Sequence, residues 1–383
     1  MKNFGAIAVG CGAMGSAITY HLAKQGVRTL TLEQFHLNHT NGSSHGKTRI
    51  IRTAYYEHPD YVPLMKRASE LWHKIQDESG NSLIMTTGGL MFGTPDSELV
   101  SGALRSARKH NLLHQLLEAG EVRDRFRVFR PSDHEVAVYE PNAGMLFPER
   151  CIDAHVTLAR NLGAEFHFND PLLKWQVKGD RVVAKTENET YSADSIIFAS
   201  GSWLTGLLPD LELPLQCERQ TVFWFNPLQN PELFSAAKMP IFMWQEKGGY
   251  YFYGVPDTGD GVKTARHHAG EFGQPDKIRR EITQEDQLPV KEFLMRHLPW
   301  ANGELRSSAT CMYTNSPDGH FVIDFHPKYR NVIIVSACSW HGFKFASVIG
   351  EIVSDMVLNG KTEYDISLFN LARFRLSKSA LNS

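Results

Sequence analysis

The chain has 383 residues, 42% hydrophobic and 21% charged, with a formal net charge of −2. That length exceeds one ordinary core and predicts two domains, and the composition is that of a globular protein that needs no staples. Near-neutral charge removes the electrostatic reason to expect nucleic acid or an anionic membrane as partner.

The five cysteines, Cys11, Cys151, Cys217, Cys311 and Cys338, are odd in number and irregularly spaced. They fit neither a disulfide framework nor a zinc site and point to a reducing compartment. No apolar stretch approaches the roughly 20 residues of a membrane-spanning helix. Lys2 with Phe4–Val9 imitates a signal peptide, but a glycine motif follows at once and explains the run as a buried strand. Cytoplasmic residence is the expectation.

In chain order, Phe4–Val9 reads as a strand buried on both faces. Gly10-Cys11-Gly12-Ala13-Met14-Gly15 is G-x-G-x-x-G, Ser16–Lys24 has helical spacing, and Val27–Leu32 is a second strand ending at Glu33. This is the βαβ order of a dinucleotide site. Gly10 and Gly12 allow the tight turn and the approach of backbone to a pyrophosphate, and Gly15 allows close helix–strand packing. The helix N-terminus favours the phosphates, and Glu33 can accept from a ribose hydroxyl. A carboxylate there disfavours a 2′-phosphate and hence NADP.

Helical patterns are expected over Tyr61–Ile75, Glu98–Ala119, Pro289–His297 and Ala346–Leu358. The runs Thr86–Gly93, Thr221–Phe225, Ile241–Trp244 and Gly249–Gly254 are short, aromatic and β-prone. Ser195–Ser200 and Val332–Ala337 read as further buried strands whose small residues open onto a ligand crevice. The expected fold is α/β: a Rossmann-type dinucleotide-binding domain from 1–85, 145–216 and 305–383, which the resemblance below makes FAD-binding, and a second α+β substrate domain with a mostly antiparallel sheet from 86–144 and 217–304.

Three segments carry candidate chemistry. Thr40–Tyr55 holds His45, Lys47, Arg49 and Arg52 among glycines and serines. If a helix starts at Thr48, both arginines share a face, suited to a phosphate, a flavin carbonyl or a carboxylate; a solvated basic loop is the plain alternative. Tyr250–His267 places Tyr251 and Tyr253 on one face by alternation, then Lys263 and His267. Singly, these read as core tyrosines with a surface lysine and histidine. His341-Gly342-Phe343-Lys344-Phe345 sets a lysine between phenylalanines at the mouth of a parallel sheet, where desolvation would lower its pKa and a bound anion would restore its charge. Cys311 alone reads as a small buried hydrophobe. There is no H-E-x-x-H or P-loop motif, and no nucleophile elbow supports a Ser–His hydrolase, which leaves redox chemistry on a bound dinucleotide.

Taken together, Val9–Gly15, Thr40–Tyr55, Tyr253–Pro256, Cys311–Asp318 and His341–Ser347 resemble, in order and over nearly the full length, the family of monomeric sarcosine oxidase and N-methyltryptophan oxidase. The resemblance implies FAD tethered through a thioether at Cys311, with His45, Arg49 and Gly342 against the cofactor. It implies that Arg52 and Lys344 bind the substrate carboxylate, that Lys263 activates dioxygen, and that Tyr253, His267 and Tyr313 line the substrate site. The implied reaction oxidises a small secondary or N-methylated amino acid to an imine, with dioxygen going to hydrogen peroxide, in a monomer. A dehydrogenase on the same plan, with another electron acceptor, is the alternative. The chain departs from the family pattern at Ser44, Lys47 and Thr53. It also departs at Trp340, where the family typically has glycine; an indole there shrinks the amine pocket or covers a differently shaped substrate.

Overall fold

The structure is a computed structural model that describes residues 1–374. β1 (Lys2–Val9) runs into α1 (Ala13–Lys24) and then β2 (Thr29–Glu33). Parallel pairing joins β1 to β2 and to the strand Thr190–Phe198, which continues to Val332–Ser336. All of Val332–Ser336 is buried, as its apolar sequence requires in a sheet covered on both faces. α1 packs against the helices Pro148–Asn161 and Ala346–Asn359 on one face of this sheet. Three distant segments thus form one layer, with the carboxyl ends of their strands on a common edge.

Among the described residues, this sheet has eight strands and a second, mostly antiparallel sheet has nine. In the second sheet the face bearing Phe223, Phe225, Phe242, Trp244 and Phe252 packs on the helix Gln284–His297 through Phe293 and Leu294. The opposite face looks onto the carboxyl edge of the first sheet. The strand Leu305–Asn315 belongs here: it pairs antiparallel with Gln216–Phe225 from Asn315 to Leu305. The segment 305–315, grouped by sequence with the flavin-binding part, is therefore hydrogen-bonded into the antiparallel sheet.

Several elements differ from expectation. No helix starts at Thr48; β3 (Arg49–Ile51) instead pairs with Gly144–Leu146. The reason is the preceding turn, where Gly46 and Lys47 are left-handed (φ +100° and +67°) and their N–H groups donate to Glu149 at 2.8 and 3.1 Å. The helix expected over Glu98–Ala119 stops at Lys109. Asn111 turns left-handed (φ +50°), Gln115–Glu118 pairs with Val136–Glu140, and Ala119–Arg125 starts a new helix. The run Thr86–Gly93 breaks at Gly88 (φ +73°), so Ile84–Thr86 and Gly89–Gly93 enter different sheets. The helix expected from Pro289 begins earlier, at Gln284, where Thr283 and Asp286 form a capping box.

Candidate active site in a crevice between two sheets

One cavity of about 360 Å³ is lined at one end by Gly10, Gly12, Glu33 and Ser200, and at the other by Arg52, Lys344, His267 and Trp340. At the first end the glycines are sterically required. Gly10 has φ +98°, and a Cβ there would come 2.7 Å from Ala199 O; one on Gly15 would lie 1.8 Å from Gly10 O. Glu33 accepts from Cys11 N (2.7 Å) and Phe35 N (2.9 Å), which leaves carboxylate lone pairs for a ribose hydroxyl. Burial raises its pKa despite those bonds. Ser44 Oγ accepts from Ala13 N at 3.1 Å and so reaches the N-terminus of α1, a contact no sequence signal announced. The bare glycine edge, the helix N-terminus and the ribose acceptor fit a flavin dinucleotide.

Alternation in the second sheet turns Cys311 and Tyr313, Lys263 and His267, and Tyr253 toward the cavity. Cys311 Sγ lies 3.5 Å from His45 Nε2 and 3.8 Å from Arg49 Nη2. Arg49 gathers its own loop by donating to Ser43 O, His45 O and Thr48 O. Lys263, 1% exposed, donates to Gly46 O (2.7 Å) and Thr48 O (2.9 Å) and stands 5.3 Å from the Trp224 ring centre. The surface reading of this lysine is thereby corrected. Burial lowers its pKa to about 7, helped by Arg49 and opposed by Cys311. For Cys311, burial opposes ionisation, but His45, Arg49 and Lys263 outweigh it and bring the thiol down to about 6. This buried thiol is therefore not inert.

Because the arginines lie on and beside a strand, they diverge. Arg52 is buried, holds Glu57 by two bonds of 2.7 Å, and donates to Ala54 O (3.0 Å) and Met243 Sδ (3.2 Å). Lys344 Nζ donates to His341 O at 2.8 Å. Both cations lie near the Tyr55 ring, at 4.5 and 5.5 Å. Burial, with Arg52 adding and Glu57 opposing, lowers Lys344 to about 7. Glu140 fixes this corner by accepting from Thr53 N (2.7 Å) and Ala54 N (2.9 Å). Glu57, Glu140 and Glu149 were all missed in the sequence, because an isolated glutamate reads as surface until its partners are placed.

His267 Nδ1 meets Tyr313 Oη at 2.8 Å, with Tyr253 5.7 Å away between ring centres. Burial and neighbouring positive groups push His267 well below the usual histidine range, and burial pushes Tyr253 up to about 12. Gly342 is required where a Cβ would lie 1.7 Å from Ala337 O. Lys47 pairs with Asp260 at 2.7 Å. Among the described residues no cluster of His, Cys, Asp or Glu is placed to hold a metal, and no helix is long and apolar enough to cross a membrane.

Comparison with known proteins identifies the family. The chain is 43% identical over 385 residues to the monomeric sarcosine oxidase of Bacillus sp. (strain NS-129), covering 99% of both chains. It is 32% identical to the N-methyl-L-tryptophan oxidase of Yersinia pestis (strain Pestoides F), over 97% of this chain and all of that one. The fold is shared with L-proline dehydrogenase from P. horikoshii at a TM-score of 0.85 and 20% identity, covering 98% and 99% of the two chains. The family model for FAD dependent oxidoreductases (DAO) matches residues 6–356, and the chain belongs to that family of flavin-dependent enzymes.

Proposed function

We propose that this protein oxidises a small secondary or N-methylated amino acid at the carbon beside nitrogen, on FAD tethered through Cys311, with dioxygen reduced to hydrogen peroxide. The observation that carries the reading is one cavity joining the dinucleotide edge to two buried cations, Arg52 and Lys344. FAD, when bound, supplies the acceptor for the two electrons and the hydrogen leaving that carbon.

This chain's residues do the rest. Arg52 is charged at any working pH, and the Lys344 ammonium has two N–H donors beyond the one spent on His341 O; together they seat a carboxylate. Burial first, and then the guanidiniums of Arg49 and Arg52, lower Lys263 and Lys344 to about 7; the same surroundings disfavour protonation of the amine, so nitrogen keeps the lone pair that makes its neighbouring C–H bond oxidisable. Neutral His267, held by Tyr313, can hydrogen-bond that nitrogen without bringing a charge. Lys263, when protonated, would supply positive charge that favours reduction of dioxygen by the bound flavin. The low-pKa thiol of Cys311, between His45 and Arg49, supports a thioether to the flavin. The protein is expected to act as a monomer. The released imine hydrolyses in water.

The test is anaerobic bleaching of the flavin by a panel of N-methyl, cyclic and primary amino acids, followed by air. Bleaching by an N-methylated or cyclic member and stoichiometric peroxide on reoxidation are expected. If no amine bleaches the flavin, amine oxidation is refuted; bleaching followed by slow reoxidation without peroxide would make the enzyme a dehydrogenase. Acid-precipitated wild type is expected to keep its yellow colour in the pellet and Cys311→Ala to release it, whereas wild-type flavin wholly in the supernatant would refute the tether.

A further inference from the structure

Trp340 lines the substrate end of the cavity in a setting that does not favour folding. Ser339 and Trp340 are both left-handed (φ +33° and +59°), a conformation non-glycine residues hold only under constraint. The indole Nε1 is buried without a hydrogen-bond partner among the described residues. The turn is nonetheless pinned. Ser339 N donates to Thr314 O (2.9 Å), His341 Nε2 lies 3.0 Å from Gly319 O, and the six-membered ring rests on Gly319, where a Cβ would come 2.5 Å from Trp340 Cη2.

The indole is also held from outside the cavity. The His268 ring meets it edge to face, with centres 4.4 Å apart at 83°. His268 is itself left-handed (φ +52°), and its Nδ1 lies 3.0 Å from Glu218 Oε2. The buried Glu218 carboxylate is anchored in turn by Asn315 Nδ2 (2.6 Å) and Gln220 Nε2 (2.7 Å). Neither Glu218 nor His268 lines the cavity. The indole stands 6.3 Å from His267 and 5.5 Å from His341, whose carbonyl holds Lys344. It therefore lines the cavity beside the histidine–tyrosine group and the turn that holds Lys344, and a bulky substituent on the substrate's α-carbon directed there would meet it.

We infer that Trp340, positioned by His268 on Glu218, is the specificity wall of the amine site: it admits glycine-type N-alkyl amines and excludes N-methyl amino acids with aromatic side chains. This rests on the amine-oxidation reading above. Gly at 340 would open the space and suit the left-handed backbone, while Phe would keep the wall without the orphaned N–H.

The test uses flavin-loaded protein and two ratios, each comparing a benzyl-bearing with an unsubstituted ligand. One is kcat/KM for N-methylphenylalanine over N-methylglycine; the other is association of the matching methylthio carboxylates, followed by the flavin spectrum. Trp340→Gly is expected to raise both ratios about tenfold or more, and Trp340→Phe to leave them near wild type. His268→Ala should move them the same way, and His268→Asn, which tolerates the left-handed backbone and keeps a donor to Glu218, should stay nearer wild type. Ratios unchanged in Trp340→Gly and His268→Ala would overturn the wall; if the glycine variant does not fold, His268→Ala alone decides. Wild type bleached by no amine would refute amine oxidation instead, while the binding ratio would still test the wall.

Discussion

Cys311 and Lys344 show how burial and neighbours decide what a residue type does. Both are buried, which disfavours charge on each, yet His45, Arg49 and Lys263 beside Cys311 reverse the outcome and bring its thiol to about 6. In flavin-free protein, alkylation of Cys311 is expected to rise through about pH 6, and Arg49→Ala to move that rise upward; a midpoint unchanged in the variant would refute the charge coupling. Lys344, lowered to about 7, is largely neutral above that pH until an anion restores its charge. Carboxylate binding should therefore take up a proton and weaken as pH rises above 7, and Lys344→Met should abolish that slope. Kd measured from pH 6 to 10 in both proteins checks it. Lys263→Met is expected to slow reoxidation by dioxygen about a hundredfold while leaving anaerobic reduction intact, as removal of a positioned charge does elsewhere; stopped-flow mixing with air reads the difference.

At the scale of elements, the packing of α1 against Pro148–Asn161 and Ala346–Asn359 buries two histidines. Burial lowers His21 to about 4 and His155 to about 3, in the latter case with His21 adding to it. The unfolded chain binds these protons near pH 6.5, above both folded values. Their contribution is thus fully present above pH 6.5 and is lost as pH falls through 6.5 toward 3. For His21 alone this is about 3 kcal/mol. His155→Gln is expected to flatten the acid limb of urea-unfolding stability between pH 6.5 and 4. In the second sheet, alternation places Cys311, Tyr313, Lys263, His267 and Tyr253 over the crevice and the aromatic residues of the other face in a core. A one-residue slip in Leu305–Asn315 would turn Cys311 away from the cavity.

Over the whole molecule, the cavity is walled by both sheets, so its occupant links them. A ligand that binds only the folded state stabilises it by mass action. Tm of the Cys311→Ala variant is expected to rise with added FAD, while that of a covalently loaded wild type stays constant. The βαβ unit was legible in the sequence because its chemistry is local: Gly10, Gly12, Gly15 and Glu33 lie within one strand–helix–strand and obey steric rules at fixed spacing. The ordered set of motifs further identified the family. What the sequence left open was tertiary. Arg49 and Arg52 share no helical face, because Glu149 holds the preceding turn and β3 sends them to different partners. Lys263 is buried only because Gly46 and Thr48 arrive from more than two hundred residues away. Glu57, Glu218 and His268 acquire meaning only through Arg52 and Trp340. Local sterics and periodicity determined the dinucleotide edge; desolvation and charge pairing between distant segments, which depend on distance in space rather than along the chain, decided the rest of the site.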